Sequence, residues 1–580
     1  MVEIRTAHAV IKRGTMMSNN PGDPLKNLAI GTIIEISGTH IVAELDPQIH
    51  DLSRIFAGEI YPIGQFGSIL KIHFGRRVIY AFVSKLRMKS EYELENGIIT
   101  AFASNARVIE ADLFGEGEWI QSDNQWKLVF ERGVSTFPLP KQIVYLTPKS
   151  ELKWLFDGGS RATIPIGDHV GVDGATCYID MNELLGKHTA ILGSTGTGKS
   201  GTVAALLHAI IEHGSNNQYL NWNPKIVVLD PHNEYGSAFP THRRLSTDEG
   251  TLKLPYWLFN LQETISLFLG KTEFTATTQS NIIKIALLEA RKEAAEVIGL
   301  TLDTVTVDAP IPYQLEGFKK QIDLQRPEGR NKKDHEPYNT VIGKLEVLER
   351  DARMNFMMEP WDGGGDPFSS VISQFLGSGD PISIVDLSGV PNEIAGLASA
   401  VIARTLFSLK IWQTPDERAR TPILLVCEEA HRYVPNRGEA QYEAAQDGIR
   451  RLAKEGRKYG VGLMLVSQRP SEIDPTVLSQ CSTWIVLRVT NENDRAQVNA
   501  ILPDSLAGLT NALSGLRRRE AICVGQAITL PSRIRIRELT PDCLPRSHDV
   551  DFDTGWQFDP PNEVDFKNIA LRWRQQVRPR

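Results

Sequence analysis

Residues 193–200 read GSTGTGKS, a complete G-x-x-x-x-G-K-[ST] pattern. A short apolar, β-favouring run at residues 188–192 precedes it, and an apolar run of helical character at 202–211 follows. Strand, glycine loop and helix is the setting in which this pattern binds the phosphates of a nucleotide. Glycines let backbone N–H groups turn inward onto phosphate oxygens, and the helix start adds free N–H groups and the positive end of its dipole. Gly193, Ser194, Thr195, Gly196, Thr197, Gly198, Lys199, Ser200 and Gly201 would form this cradle. Lys199 would bring charge to the outer phosphates, and Ser200 a hydroxyl oxygen to Mg²⁺. The pattern alone predicts a nucleoside triphosphate, and with the motifs below the expected cofactors are ATP and Mg²⁺.

A second group supplies the acids. Residues 423–427 are apolar and end at Glu428 and Glu429. Two carboxylates at a buried strand end suit metal support and water activation. Glu428 stands where Asp is commoner, and is assigned to the Mg²⁺ shell with Ser200. Glu429 is assigned as the base. The run 225–229 ends at Asp230, with Glu234 four residues on. Strand ends in an open α/β sheet face the ligand crevice, so both are expected near the phosphates. Gln468, at the end of the apolar run 461–467, is a candidate phosphate sensor, though the turn at Pro470 alone would also explain the stretch.

A third group is basic. Arg450, Arg451, Lys454, Arg457 and Lys458 crowd one predicted helix. Arg457 is the first choice for an arginine that reaches a neighbouring subunit's ATP, with Arg450 and Arg451 behind it. A solvated helix face is the alternative. The cluster Arg330, Lys332 and Lys333 reads as a solvated loop, with a nucleic-acid contact as the alternative, and Arg517, Arg518 and Arg519 as a DNA or subunit contact.

These residues need a scaffold. Short β-like runs at 30–36, 40–45, 68–73, 77–83, 126–130 and 143–146, split by glycines, predict a small β-barrel over residues 24–150. Apolar strands alternating with helices predict an α/β domain over 151–545, with a RecA-like P-loop ATPase core and a mostly parallel sheet. Helical spacing at 282–296 and 338–354 marks a helical insertion at 261–371, with 326–337 as a polar loop between. Residues 1–23 read as an extension in which Met16 or Met17 is an alternative start, and 546–580 as an irregular tail.

Composition narrows the class. The chain has 580 residues, 41% hydrophobic and 23% charged, with a net charge of -7. At about 150 residues per domain this is a multidomain globular chain. No global field favours nucleic acid, so any DNA contact must be local. Five scattered cysteines without a C-x-x-C pair fit a reducing cytoplasm. No uninterrupted apolar run is expected to span a bilayer, and the start lacks a signal-peptide pattern.

The stretches at 188–200, 229–235 (LDPHNEY), 427–431 (CEEAH), 455–460 (EGRKYG) and 467–470 (SQRP) resemble the HerA family, within the HerA–FtsK group of ring ATPases. The resemblance is strong in the ATPase motifs and weak in the barrel and insertion. Asn233 departs from the family's usual Gly, which puts the local turn and Glu234 in question. The resemblance implies a homohexameric ring with DNA in its central channel, ATP sites shared between subunits, and a separate nuclease or sirtuin-like NADase effector. It points to the bacterial anti-phage defence type. The expected function is an Mg²⁺-dependent, ATP-hydrolysing DNA translocase or helicase in the cytoplasm. The alternative is a ring-shaped scaffold that regulates an effector with little translocation. A third reading, an ATPase of the type IV secretion kind, would call for a membrane anchor.

Overall fold

The computed structural model describes residues 24–65, 67–97, 105–122, 125–156, 162–170, 175–219, 221–270, 277–328, 332–377, 379–436, 443–501, 512–546 and 550–575. The chain divides into two compact units, with the boundary after Leu155.

The first unit is a barrel. Its strands are β1 (Ala29–Ser37), β2 (His40–Leu45), β3 (Ser53–Phe56), β4 (Glu59–Pro62), β5 (Ile69–Phe74), β6 (Arg77–Met88), β7 (Arg107–Ser122), β8 (Gln125–Arg132) and β9 (Ile143–Leu146). The order β2-β1-β9-β5-β6-β7 closes by a β2–β7 pairing, which leaves six antiparallel strands with no free edge between them. Ile30, Ile41, Leu70, Ile72, Ile79 and Val144 fill the interior. β3 and β4 form a separate hairpin. The sequence suggests only short strands here, yet β7 runs for 16 residues. Gly115 lies where a Cβ would sit 2.3 Å from the Phe130 ring, so the glycine makes room for a cross-strand aromatic. Inside this unit Glu151 is buried and accepts hydrogen bonds from Lys71 Nζ at 2.7 Å and Tyr80 Oη at 2.6 Å.

The second unit is built on an eleven-stranded mixed sheet. Its strands are β10 (Thr163–His169), β11 (Thr176–Asp180), β12 (Thr189–Leu192), β13 (Lys225–Asp230), β14 (Arg243–Ser246), β15 (Ile382–Asp386), β16 (Ile423–Cys427), β17 (Val461–Ser467), β18 (Thr483–Leu487), β19 (Glu520–Gly525) and β20 (Ser532–Ile536). Seven parallel strands run in the order β18-β12-β17-β16-β13-β15-β14, and β19, β20, β10 and β11 extend the β18 edge antiparallel. The central strands β12, β15, β16, β17 and β18 are buried at every position, which is why they read as continuous apolar runs. This is a RecA-like P-loop ATPase core.

Between β14 and β15 lies the helical insertion. Helices Leu261–Leu269, Thr277–Ala295, Leu315–Leu324 and Lys332–Arg350 pack on one another, and Phe368–Leu376 runs past residue 371. The insertion is tied to the core by Arg404, whose Nε donates to Glu263 Oε1 at 2.6 Å. The expected loop 326–337 is shorter than the composition suggests, because the helix already starts at Lys332. Pro337 removes one hydrogen bond near the helix start, but Val341 and Leu345 behind it are fully buried, and that burial holds the helix. Arg330, from the basic cluster, lies outside the described residues.

Two further expectations need correction. Residues 394–412 do form one helical stretch long and apolar enough to cross a membrane, with mean hydropathy 1.6, but it is mostly buried and packs on the helix Glu443–Tyr459. The tail is also not irregular: it contains the helices Phe552–Gly555 and Glu563–Gln575. Their apolar residues, Phe552 and Phe566 among them, are exposed, so burial does not reveal these helices in the sequence.

Candidate active site

The parallel strands all deliver their chemistry at one edge. β12 leads into the phosphate loop, β13 ends at Asp230, β16 leads into Glu428 and Glu429, and β17 leads into Gln468. Because these strands are parallel neighbours in register, their carboxyl ends lie side by side.

The loop is held from several sides. Gly193 N donates to Ser467 O at 3.2 Å and Ser194 N to Arg488 O at 2.9 Å, which fixes the loop to β17 and β18. A Cβ on Gly193 would lie 2.8 Å from Leu487 Cβ. Gly198 has φ +103°, a conformation that side chains disfavour, and it turns the chain into the helix Lys199–Asn216. Thr197 Oγ1 donates to Ser194 O at 2.7 Å and Arg519 N to Thr197 O at 3.1 Å. Arg519 is thus part of the loop's support, and its Nη1 pairs with Glu538 at 2.8 Å. That support comes from its backbone N–H, while its side chain stays partly exposed beside Glu538.

Lys199 is buried, and its Nζ donates to Ser194 O at 3.1 Å. Burial lowers its pKa, while the fields of Glu429, Glu428 and Glu234 oppose that shift. Ser200 Oγ donates to Glu234 Oε2 at 3.1 Å. Asp230 does not aim at the ligand side: its two carboxylate oxygens accept from His232 N at 3.1 Å and Tyr235 N at 2.9 Å. It shapes the turn that presents Glu234, and burial pushes its pKa up to about 6.

Asn233 resolves the question raised by the missing glycine. Its φ is +57°, in the left-handed region. Asn tolerates that region better than other side chains, so the turn survives the exchange. Asn233→Ala should therefore cost about 1–2 kcal/mol of stability, whereas Asn233→Gly should be near neutral. Urea unfolding of the full chain measures both; equal losses would show that the backbone conformation is not what the position selects.

Glu428 is almost fully buried and accepts a hydrogen bond from Tyr235 Oη at 2.8 Å. Burial is the main reason its pKa rises, to about 8, with Glu429 and Asp230 adding to the shift. Glu429 has φ +53°, a strained conformation for a side chain this size, and its Oε2 is buried without a hydrogen bond. Gln468 Oε1 accepts a hydrogen bond from Thr195 Oγ1, which links the β17 end to the phosphate loop.

The arginines separate. Arg450 is engaged, with Nε on buried Asp474 at 2.7 Å. Arg451 pairs with Glu455 at 3.4 Å and lies over the Phe407 ring. Arg457 is exposed and has no ion-pair partner among the described residues. It stands just before β17, at the edge where the parallel strands begin. The seven residues of β17 separate that edge from Gln468, roughly 20 Å away. Lys199, Ser200, Glu234, Glu428, Glu429 and Gln468 therefore come together, and Arg457 stands apart from them in its own chain. The residues that sequence reasoning left without a role are Tyr235, His431 and Ser467. Tyr235 and His431 lie inside quoted motifs, but Tyr235 meets Glu428 and His431 meets Ser467 only across neighbouring strands.

The chain is similar to proteins of a known family. The family model for the central domain of the helicase HerA matches residues 164–406. A DNA double-strand break repair helicase HerA of Sulfolobus acidocaldarius is 30% identical over 403 residues, covering 69% of this chain and 73% of that protein. A probable helicase of Methanocaldococcus jannaschii is 29% identical over 417 residues, covering 68% of this chain and 74% of its own length. Among solved structures, VirB4 of Thermoanaerobacter pseudethanolicus aligns with TM-score 0.46 and 18% identity, over 66% of this chain and 98% of that one. A P-loop, a pair of strand-end glutamates and a shared length of this extent leave one assignment: the chain belongs to the HerA family and is an ATPase of the helicase type.

Proposed function

We propose that this ATPase is an Mg²⁺-dependent motor that assembles as a homohexameric ring, moves DNA through its central channel and drives a separate effector. The effector would be a nuclease or a sirtuin-like NADase. The setting would be the cytoplasm, in anti-phage defence or DNA end processing. The observation that carries the hydrolytic part is the meeting of Glu429 with the phosphate loop around Lys199. The DNA part is supported by relatives that are DNA double-strand break repair helicases.

The residues fit the cofactors. Ser200, Glu234 and Glu428 offer hard oxygen donors, the kind Mg²⁺ takes. Among the described residues no group of three or more His, Cys, Asp or Glu side chains is arranged to hold a metal alone. The protein would then supply part of a shell, through Ser200 and Glu428, and nucleotide phosphates and water the rest. Bound there, the metal would neutralise charge on the transferred phosphoryl group. Residues 193–201 cradle the phosphates with backbone N–H groups, and Lys199 adds charge. Asp230 sets the turn that brings Glu234 to Ser200. Glu429 orients and deprotonates the attacking water. Gln468 reads the loop through Thr195, and Arg457 of one subunit completes the site of the next.

The test is phosphate release by the purified full chain with and without DNA. Duplex and single-stranded DNA should raise turnover severalfold, and the increase should fall with salt as phosphate contacts are screened. Turnover unmoved by any DNA would reject the motor reading and favour the scaffold.

A further inference from the structure

The Glu429 carboxylate and the β17 turn share one neighbour. His431 Nδ1 lies 3.3 Å from Glu429 Oε2 and 3.2 Å from Ser467 Oγ. Only the Ser467 contact has hydrogen-bonding geometry, because Glu429 Oε2 is left without a hydrogen bond. Ser467 Oγ also accepts from Arg469 N at 3.0 Å. Between these two residues sits Gln468, which touches Thr195 of the phosphate loop. One ring nitrogen therefore stands between the residue that reads the loop and the one that activates water.

We propose that His431 is a positioning residue for ATP hydrolysis: its Nδ1–H passes between Ser467 Oγ and Glu429 Oε2, so that a shift of the β17 turn aims the Glu429 carboxylate.

The physical basis is a mismatch of partners. A buried carboxylate oxygen without a hydrogen bond is costly, and a donor within a few tenths of an ångström of bonding distance removes that cost by a small ring rotation. The ring faces Glu429 and Ser467 directly. Glu472, Arg432 and Arg469 are the other charged groups that act on it, and Arg469 is paired with Glu472 at 2.7 Å. Burial holds the ring's pKa below its usual value, so the ring is neutral and has a single N–H to place. With the proton on Nδ1 it donates to one acceptor at a time. When it bonds Ser467, Glu429 is held only by the strand end. When it bonds Glu429, the carboxylate is fixed and the turn is released. The two acceptors come from adjacent parallel strands, so the switch spans the shortest route from Gln468 to the base.

This inference rests on the reading of Glu429 as the base, and the test separates the two. Steady-state hydrolysis and binding of a fluorescent ATP analogue are measured for the full chain and for the His431→Ala, His431→Asn, His431→Gln and Glu429→Gln variants. His431→Ala should lower kcat by about tenfold to a hundredfold, the usual effect of removing a positioning partner, with analogue affinity changed by less than about threefold. His431→Asn puts an amide N–H near the Nδ1 position and should recover most of kcat. His431→Gln carries its amide one carbon further and should not. Unchanged kcat in His431→Ala, equal losses in the Ala and Asn variants, or a loss carried by analogue affinity would each overturn the role of His431. A Glu429→Gln protein that still hydrolyses ATP would instead overturn the base assignment.

Discussion

Glu429→Gln should stop ATP turnover while leaving nucleotide binding intact. The expected fall in kcat is about 10²- to 10⁴-fold, the range a positioned general base contributes. The substitution keeps the volume and the polar end of the side chain, so the buried pocket at the end of β16 has nothing to collapse around. It removes the negative charge and the proton acceptor. The loop that binds phosphate is held by Ser467 O and Arg488 O and does not depend on Glu429. Affinity for a fluorescent ATP analogue should therefore change little. Glu429 also sits at φ +53°, which costs about 1–2 kcal/mol for a residue with a Cβ. Strain of that kind persists where surrounding structure imposes it, and here β16 and the turn 430–432 impose it. Phosphate release by purified protein under saturating ATP is the measurement. Near-normal release would remove Glu429 from the reaction and leave its strained conformation without a chemical reason.

The contrast with Glu428 sharpens this. Glu428 is held by Tyr235 Oη and faces Asp230 as a further acid. Its environment raises its pKa, whereas Glu429 keeps one oxygen free of hydrogen bonds. Two adjacent acids thus receive different surroundings because β16 ends at Cys427 and the chain turns into the left-handed region at Glu429. The sequence pattern of two acids after an apolar run does not by itself say which is which. Tyr235, from the turn after β13, gives Glu428 a hydrogen-bond partner that Glu429 Oε2 lacks.

What the sequence could and could not reveal follows from range. The phosphate loop and the strands β12, β13, β16 and β17 are legible because each is a short buried run with its own turn chemistry at the end. β7 was not, because glycines and acids interrupt its apolar residues, and those glycines serve Phe130 and Tyr80 on other strands. β19 and β20 were missed because antiparallel extension of a parallel sheet depends on pairings far along the chain. Asn233 looked like a weakness and is a tolerated left-handed residue. Arg519 braces the loop through its backbone N–H, a contact that no side-chain pattern can show. His431 has no visible role in the sequence because Ser467, the partner that links it to the β17 turn, becomes its neighbour only through the β16–β17 pairing. The position of Arg457, in contrast, follows from alternation alone. A helix that joins two parallel strands must return to the edge where the next strand begins.

That last point yields the most demanding test. Arg457 lies at the amino-terminal edge of the sheet and Lys199 at the carboxyl-terminal edge, so Arg457 cannot serve the phosphates bound by its own chain. If it serves those of another copy, Lys199→Ala and Arg457→Ala should each be inactive alone, the arginine change costing about 10³- to 10⁵-fold in kcat. Co-expressed in equal amounts and assembled together, they should regain activity. A head-to-tail contact pairs the phosphate loop of one subunit with the arginine of the next. In a random mixture about a quarter of such contacts join an intact Lys199 to an intact Arg457, so turnover should return towards that fraction if sites act independently. Lys199→Ala co-expressed with Glu429→Gln is the control. Both residues stand at the same strand edge of one chain, no mixed contact restores them together, and no activity should return. Recovery in the first mixture and none in the second would place the catalytic site between subunits. Failure of the first mixture to recover, or an active Arg457→Ala protein, would confine the chemistry to one chain and leave Arg457 as a solvated charge on its helix.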